Sequence, residues 1–140
     1  MRDISDNLDL KRAISPQAAR TDNTAIVSTV ADLLGYDGVM LAIDLGANTD
    51  TDATFTVLIE DSDNNSSYAA VDDAYLNGTE ALAGFTAASD DNKVKKIGYT
   101  GIKRYLRATI TPAANDSGNI FLAAEWVLRP LRVPAANPPA

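Results

Sequence analysis

The 140-residue sequence contains no cysteine and no histidine. Those two absences exclude disulfide staples, zinc ribbons, iron–sulfur clusters, Cys-His and Ser-His-Asp catalysis, and an imidazole pH switch. Aromatic residues make up only 6% of the chain. No apolar run approaches the ~20 residues that span a bilayer. The opening MRDISDNLDLKR lacks the apolar segment of a secretory signal, so synthesis in the cytoplasm is expected. Bases are missing over a long stretch: between Thr21 and Asn92 there is no Lys or Arg, while fourteen acids occur.

What is present fits one folded domain. A chain of this length can bury roughly two-thirds of the surface its unfolded form exposes, without a staple. Hydrophobic residues reach 46%, too many for a disordered acidic tail. The net charge is −7 and the pI about 4.4, which argues against general binding to nucleic acid or anionic membranes.

Period-2 alternation dominates the centre of the chain. In GVMLAIDLG, Val39, Leu41, Ile43 and Leu45 share one face. Phe55, Val57 and Ile59 do so in ATFTVLIED, and Leu106, Ala108 and Ile110 in RYLRATITP. Such half-buried strands indicate antiparallel sheet. Weaker strands are expected at 24–30, 68–71, 94–99 and 120–128, with Gly-, Asn- and Asp-rich turns between them. Trp126 alternates with Leu122, Ala124 and Leu128 and is expected in the core. Residues 80–89, EALAGFTAAS, read as a long loop because Gly84 interrupts a helical pattern. The expected architecture is an all-β antiparallel sandwich, jelly-roll-like, over residues 24–128. An extended N-terminal arm (1–23) and a proline-rich C-terminal tail (129–140) bracket it.

Six bases and no acid occupy residues 93–107: Lys93, Lys95, Lys96, Lys103, Arg104 and Arg107. A hairpin of 94–97 with 105–110 would place them on adjacent strands as a compact positive patch. They could pair with acids of their own molecule, or dock on an acidic surface of a neighbouring copy. Tyr99 and Tyr105 could stack nucleic-acid bases, but the net charge opposes this. Lys93, Lys95, Lys96, Tyr99, Lys103, Arg104 and Arg107 are thus the candidate contact residues.

Other motifs carry less. Asp61 through Asn65, with Asp72, echoes the spacing of a calcium loop, but Ser66 stands where that loop needs glycine and the flanks are strands. A polar turn explains it. The acid pairs Asp72-Asp73 and Asp90-Asp91 read as solvated loop charge. No nucleophile, base and orienting group can be combined. The sequence therefore predicts no enzyme, no metal and no cofactor.

At IGYTGIKRYLRATITP (97–112) the chain resembles small structural proteins of tailed-phage and prophage head modules. Gly98-Tyr99, Gly101, Lys103-Arg104-Tyr105 and Arg107 carry the likeness. Leu34-Gly35-Tyr36-Asp37 leading into an apolar strand, and Ile59-Glu60-Asp61-Ser62 at a strand end, extend it. The resemblance implies a head decoration or cement protein on the virion exterior. Its partners would be the major capsid protein and other copies of itself, as a homotrimer, with neither nucleic acid nor membrane. The alternative is another virion β-protein, such as a fibre base, a tail component or a host-surface-binding module. A carboxylate hydrolase is a third class and would need a cleft of clustered acids.

Overall fold

The fold is that of a computed structural model, which describes residues 4–86 and 88–131. The strands are β1 (Asp9–Ile14), β2 (Ile26–Val27), β3 (Ala31–Asp32), β4 (Tyr36–Asn48), β5 (Thr54–Ser62), β6 (Ala69–Ala70), β7 (Leu76–Asn77), β8 (Phe85–Thr86), β9 (Val94–Tyr99), β10 (Tyr105–Ala113) and β11 (Ile120–Pro130). One helical turn, α1 (Glu80–Ala83), precedes β8.

Two antiparallel sheets form a sandwich. The first runs β1-β11-β4-β9-β7; the second runs β2-β10-β5-β6, with β3 also on β10 and β8 also on β5. Successive long strands change sheet each time: β4 and β9 lie in one, β5 and β10 in the other. If β2 and β3 count as one interrupted strand, β1-β11-β4-β9 faces β2-β10-β5-β6, the strand order of a jelly roll.

The alternating positions build the core as the sequence predicts. Leu41, Ile43, Leu45, Phe55, Val57, Ile59, Leu106, Ala108 and Ile110 are buried, and Val39 packs against them. Trp126 is buried with Leu122, Ala124 and Leu128, and its indole N–H donates to the Thr29 carbonyl at 3.0 Å. Phe55 and Phe85 stack with ring centroids 4.7 Å apart.

Several expectations are corrected. Residues 94–97 and 105–110 do not form a hairpin, because β9 pairs with β4 and β10 with β5, on opposite sheets. The intervening residues 100–104 cross the sandwich rim. Within the extended segment 1–23, β1 pairs along β11 from Asp9 to Ile14 and so joins the first sheet. A register shift between Arg12 and Ile14 breaks its period-2 pattern, and Leu10 faces outward while Asp9 is buried.

Residues 80–89 are not one loop. Thr79 caps α1 by accepting from the Leu82 N–H at 3.1 Å, and Gly84 lets the chain pass the Phe55 carbonyl, which a Cβ would approach to 3.0 Å. The Glu80 carboxylate then accepts the Ile59 N–H at 2.6 Å, satisfying a donor of β5. Strand β11 runs to Pro130, and the remainder of the tail, from 132 onward, lies outside the described residues. No helix among the described residues is long and apolar enough to cross a membrane.

Candidate functional site

The basic segment is mostly consumed inside the molecule. Lys95 pairs with Asp90 at 3.0 Å and Lys93 with the same carboxylate at 3.7 Å. Arg104 grips Asp32 with two bonds of 2.8 and 2.7 Å, and Arg107 grips Glu60 at 3.0 and 2.8 Å. Arg107 also lies over the Tyr68 ring, 4.3 Å from its centroid. Lys103 meets Asp61 at 2.7 Å. Of the six bases, Lys96 alone makes no ion pair among the described residues; it is exposed on the outer face of β9. These pairs follow from strand register: Arg107 stands opposite Glu60 across β10 and β5, and Tyr105 opposite Asp32 across β10 and β3.

Asp61 is the centre of the arrangement. It is buried at the end of β5, in the second sheet, and accepts from the Tyr99 hydroxyl, in the first sheet, at 3.0 Å. The same hydroxyl accepts the Lys103 N–H at 3.1 Å, closing a ring that ties residues 99–103 to both sheets. Burial, together with the Asp61 carboxylate, pushes the Tyr99 phenol up to about 12. The Asp61 carboxylate raises the Lys103 ammonium, and Arg104 holds Asp32 down at about 2. A Cβ at Gly101 would come within 2.6 Å of the hydroxyl end of the buried Tyr99 ring, so glycine alone fits there without displacing it.

The residues carrying the phage-protein resemblance therefore make the joint between the sheets. Tyr99 is buried and not free to stack a base, and Tyr105 is half-buried beneath Arg104. Asp61, from the calcium-like run, is turned to Tyr99 and Lys103, while the Asn64 side chain accepts the Ser66 and Ser67 N–H groups within a turn.

Next to this joint lies a feature the sequence did not announce. A groove of about 1130 Å³ opens at one end of the first sheet. Its floor is the outer face of Gly38, Met40, Gly98 and Val127 on adjacent strands. The turn at Leu34–Gly35 and the crossing at Gly101–Ile102 supply its walls. Ile102 is 98% exposed and Leu34 69%; Leu131, whose N–H donates to the Gly35 carbonyl, is 56% exposed beside them. The walls are held by the Leu33 N–H on the Arg104 carbonyl and the Thr100 N–H on the Tyr75 carbonyl, each 2.8 Å. Glycine at 38 and 98 leaves the sheet uncovered at this end. Those glycines are sixty residues apart in sequence, and only the β4–β9 register unites them.

A second buried polar centre is structural. Asp50 accepts the Asp116 and Ser117 N–H groups at 3.0 and 2.9 Å, joining the turn after β4 to the turn before β11. The Ser117 N–H is the main cause holding its carboxyl down at about 2, and contact with it pushes Asp52 up. Among the described residues no group of three or more acids is placed to hold a metal ion.

No family model matches the sequence, and no curated protein matches it. Among solved structures the chain is similar to the SPBc2 prophage-derived protein YomS, at 11% identity and TM-score 0.43, covering 86% of this chain and 93% of that one. It is also similar to the Yersinia pseudotuberculosis-derived mitogen, at 8% identity and TM-score 0.42, covering 90% and 86%. A third is the C-terminal family 22 carbohydrate-binding module of Clostridium thermocellum Xyn10B, at 9% identity and TM-score 0.41, covering 91% and 88%. At these identities and TM-scores the likeness carries no argument about function.

Proposed function

We propose that this chain is a decoration protein of a tailed-phage head. It binds the outside of the major capsid lattice as a homotrimer and stabilises the shell without catalysis. The observation that carries the reading is the pair of exposed apolar side chains Leu34 and Ile102 on the walls of an open groove, with exposed Leu131 hydrogen-bonded to the Gly35 carbonyl beside it. Exposed apolar surface of this kind marks protein contact. A clamp needs a body that does not deform, and the Tyr99–Asp61–Lys103 ring joining the sheets supplies that.

The contact surface in this reading shifts from the basic segment as a whole to the groove rim with Lys96. The other five bases already have partners, and exchanging those for an outside acid would gain little. A trimer requires two different surfaces that close around an axis. The apolar rim serves as one, and the acid-rich turns of the neighbouring copy, near Asp63 and Asp72–Asp73, as the surface met by Lys96.

The test is retention on heads. Ile102→Asp and Leu34→Asp alter only exposed side chains, so the protein should fold normally yet be lost from purified heads. Retention equal to the unaltered protein would overturn the assigned surface.

A further inference from the structure

We infer that the groove of one copy receives Tyr75 of a second copy, with Asp73 of that second copy set against Lys96. This contact rests on the self-association proposed for the chain and names the segment that joins the copies.

Tyr75 is an aromatic side chain with no use in its own molecule. It is 52% exposed, its hydroxyl and ring meet no partner among the described residues, and it does not line its own groove. Its backbone is nevertheless fixed on both sides. The Tyr75 N–H donates to the Asp72 carbonyl and the Tyr75 carbonyl accepts the Thr100 N–H, each at 2.8 Å. The Asp72 carboxylate accepts the Ala74 N–H at 2.9 Å and closes the turn. A ring presented from a turn held this way loses little freedom on docking, and aromatic anchors seated in a pocket carry much of the energy of protein contacts.

The groove offers what that ring needs. Val127, Met40 and Gly98 stand in one row across β11, β4 and β9, set by register. The row ends at a strand glycine, where an incoming group can come close to bare backbone. Charge agrees with the fit. Lys103, Arg104 and Arg129 on the groove lining are held by Asp61, Asp32 and Asp37, which leaves Lys96 as the lining base with no ion pair among the described residues. Two residues before Tyr75, Asp73 is exposed and likewise forms no ion pair among them. One unpaired acid on the turn thus answers one unpaired base in the groove.

Position supplies the last observation. Thr100, which lines the groove, donates to Tyr75, and β7, which follows the turn, brings Asn77 to the lining. Turn and groove therefore flank one edge of the first sheet. Complementary surfaces set side by side can each meet a neighbour around a single axis, so the contacts close without leaving an open chain of copies.

The sequence has no cysteine, so single introduced thiols report the contact in the full chain. Ala74→Cys and Met40→Cys chains are mixed and treated with a short bis-maleimide. The expected product joins one Ala74→Cys chain to one Met40→Cys chain, several-fold more abundantly than Ala74→Cys is joined to Val27→Cys, a position exposed on the opposite sheet. Sedimentation is the second arm. Lys96→Glu and Asp73→Lys should each weaken self-association several-fold, and both reversals in one chain should restore it. Tyr75→Ala should weaken it about tenfold or more. Equal cross-linking at Met40 and Val27, a chain that stays monomeric at every concentration, or self-association untouched by Tyr75→Ala overturns the inference, while retention on heads still decides the capsid reading. An assembly of two copies dependent on Tyr75 supports the contact and overturns only the homotrimer.

Discussion

Replacing Tyr99 by phenylalanine removes one oxygen from the place where the two sheets and the 100–104 crossing meet. That oxygen donates to Asp61 at 3.0 Å and accepts the Lys103 N–H at 3.1 Å, and both Tyr99 and Asp61 are buried. The substitution leaves a buried carboxylate short of one donor and a backbone donor without its acceptor. A group left unsatisfied in this way costs about 1–3 kcal/mol, and the phenylalanine recovers part of that by shedding a desolvated hydroxyl. A net loss of about 2 kcal/mol follows, which for a chain of this size lowers Tm by roughly 6–8 °C.

Urea unfolding measures the loss, with an unchanged m-value showing that folding stays cooperative. Tyr105→Phe is the control: that ring is half-exposed, and its replacement should stay within about 0.5 kcal/mol of the parent. The same substitution has a pH signature. Tyr99 holds its proton to about 12 in the folded chain, against 10.0 for a free tyrosine. The unfolded chain therefore releases that proton first, and stability falls as pH rises from 10 toward 12, by up to about 1.4 kcal/mol per pH unit. Tyr99→Phe should flatten this alkaline limb. Equal stability at neutral pH together with an unchanged alkaline limb would refute the reasoning.

Three further outcomes can be checked. Trp126→Phe removes one of the two donors to the Thr29 carbonyl, the other being the Ser28 hydroxyl, and opens space in the core; a loss of about 2 kcal/mol in urea unfolding, mostly from the cavity, is expected, and none would show the indole to be idle. In acid, Asp50 and Asp32 hold their charge down to about 2, and Glu60 and Asp90 are also lowered, by Arg107 and by the Thr86 N–H in turn. Their stabilisation is complete above the unfolded carboxylate range and drains away as pH falls from about 4 toward 2, so a fluorescence-monitored acid titration should show unfolding in that window, and Asp50→Asn should weaken the dependence. Reversing Arg107 to Glu puts a second carboxylate against Glu60, so the chain should lose stability even as an isolated monomer. A stable variant impaired only in assembly would instead make Arg107 a contact residue.

The strand pattern was legible because one face of each long strand is buried, and burial writes itself into every second residue. Thus β4, β5, β10 and β11 stand where alternation put them, and Trp126 lies in the core. Partner choice was not legible. A five-residue connection between 99 and 105 suits a hairpin, but residues 100–104 cross from one sheet to the other, with Tyr99 anchored to Asp61 of the second sheet. The same crossing turned an apparent basic patch into separate internal pairs, Arg107 with Glu60 opposite it on β5, Arg104 with Asp32 and Lys103 with Asp61, while Lys93 and Lys95 share Asp90. β1 escaped detection because its bulge shifts the face of Ala13 and Ile14. The groove escaped because its lining comes from segments far apart in the sequence, which leave no periodic trace. The GYTGIKRYLR stretch was informative, but chiefly about what joins the sandwich.

The central claim is that this chain coats a phage head, and its most direct test is composition. Virions are purified through a density gradient and the chain is quantified against the major capsid protein by mass spectrometry. A fixed, near-stoichiometric ratio, with the chain removed by surface proteolysis of intact heads, is the result expected. A few copies per particle, or none, would contradict the account, and copies confined to tails or fibres would move the chain to another virion structure.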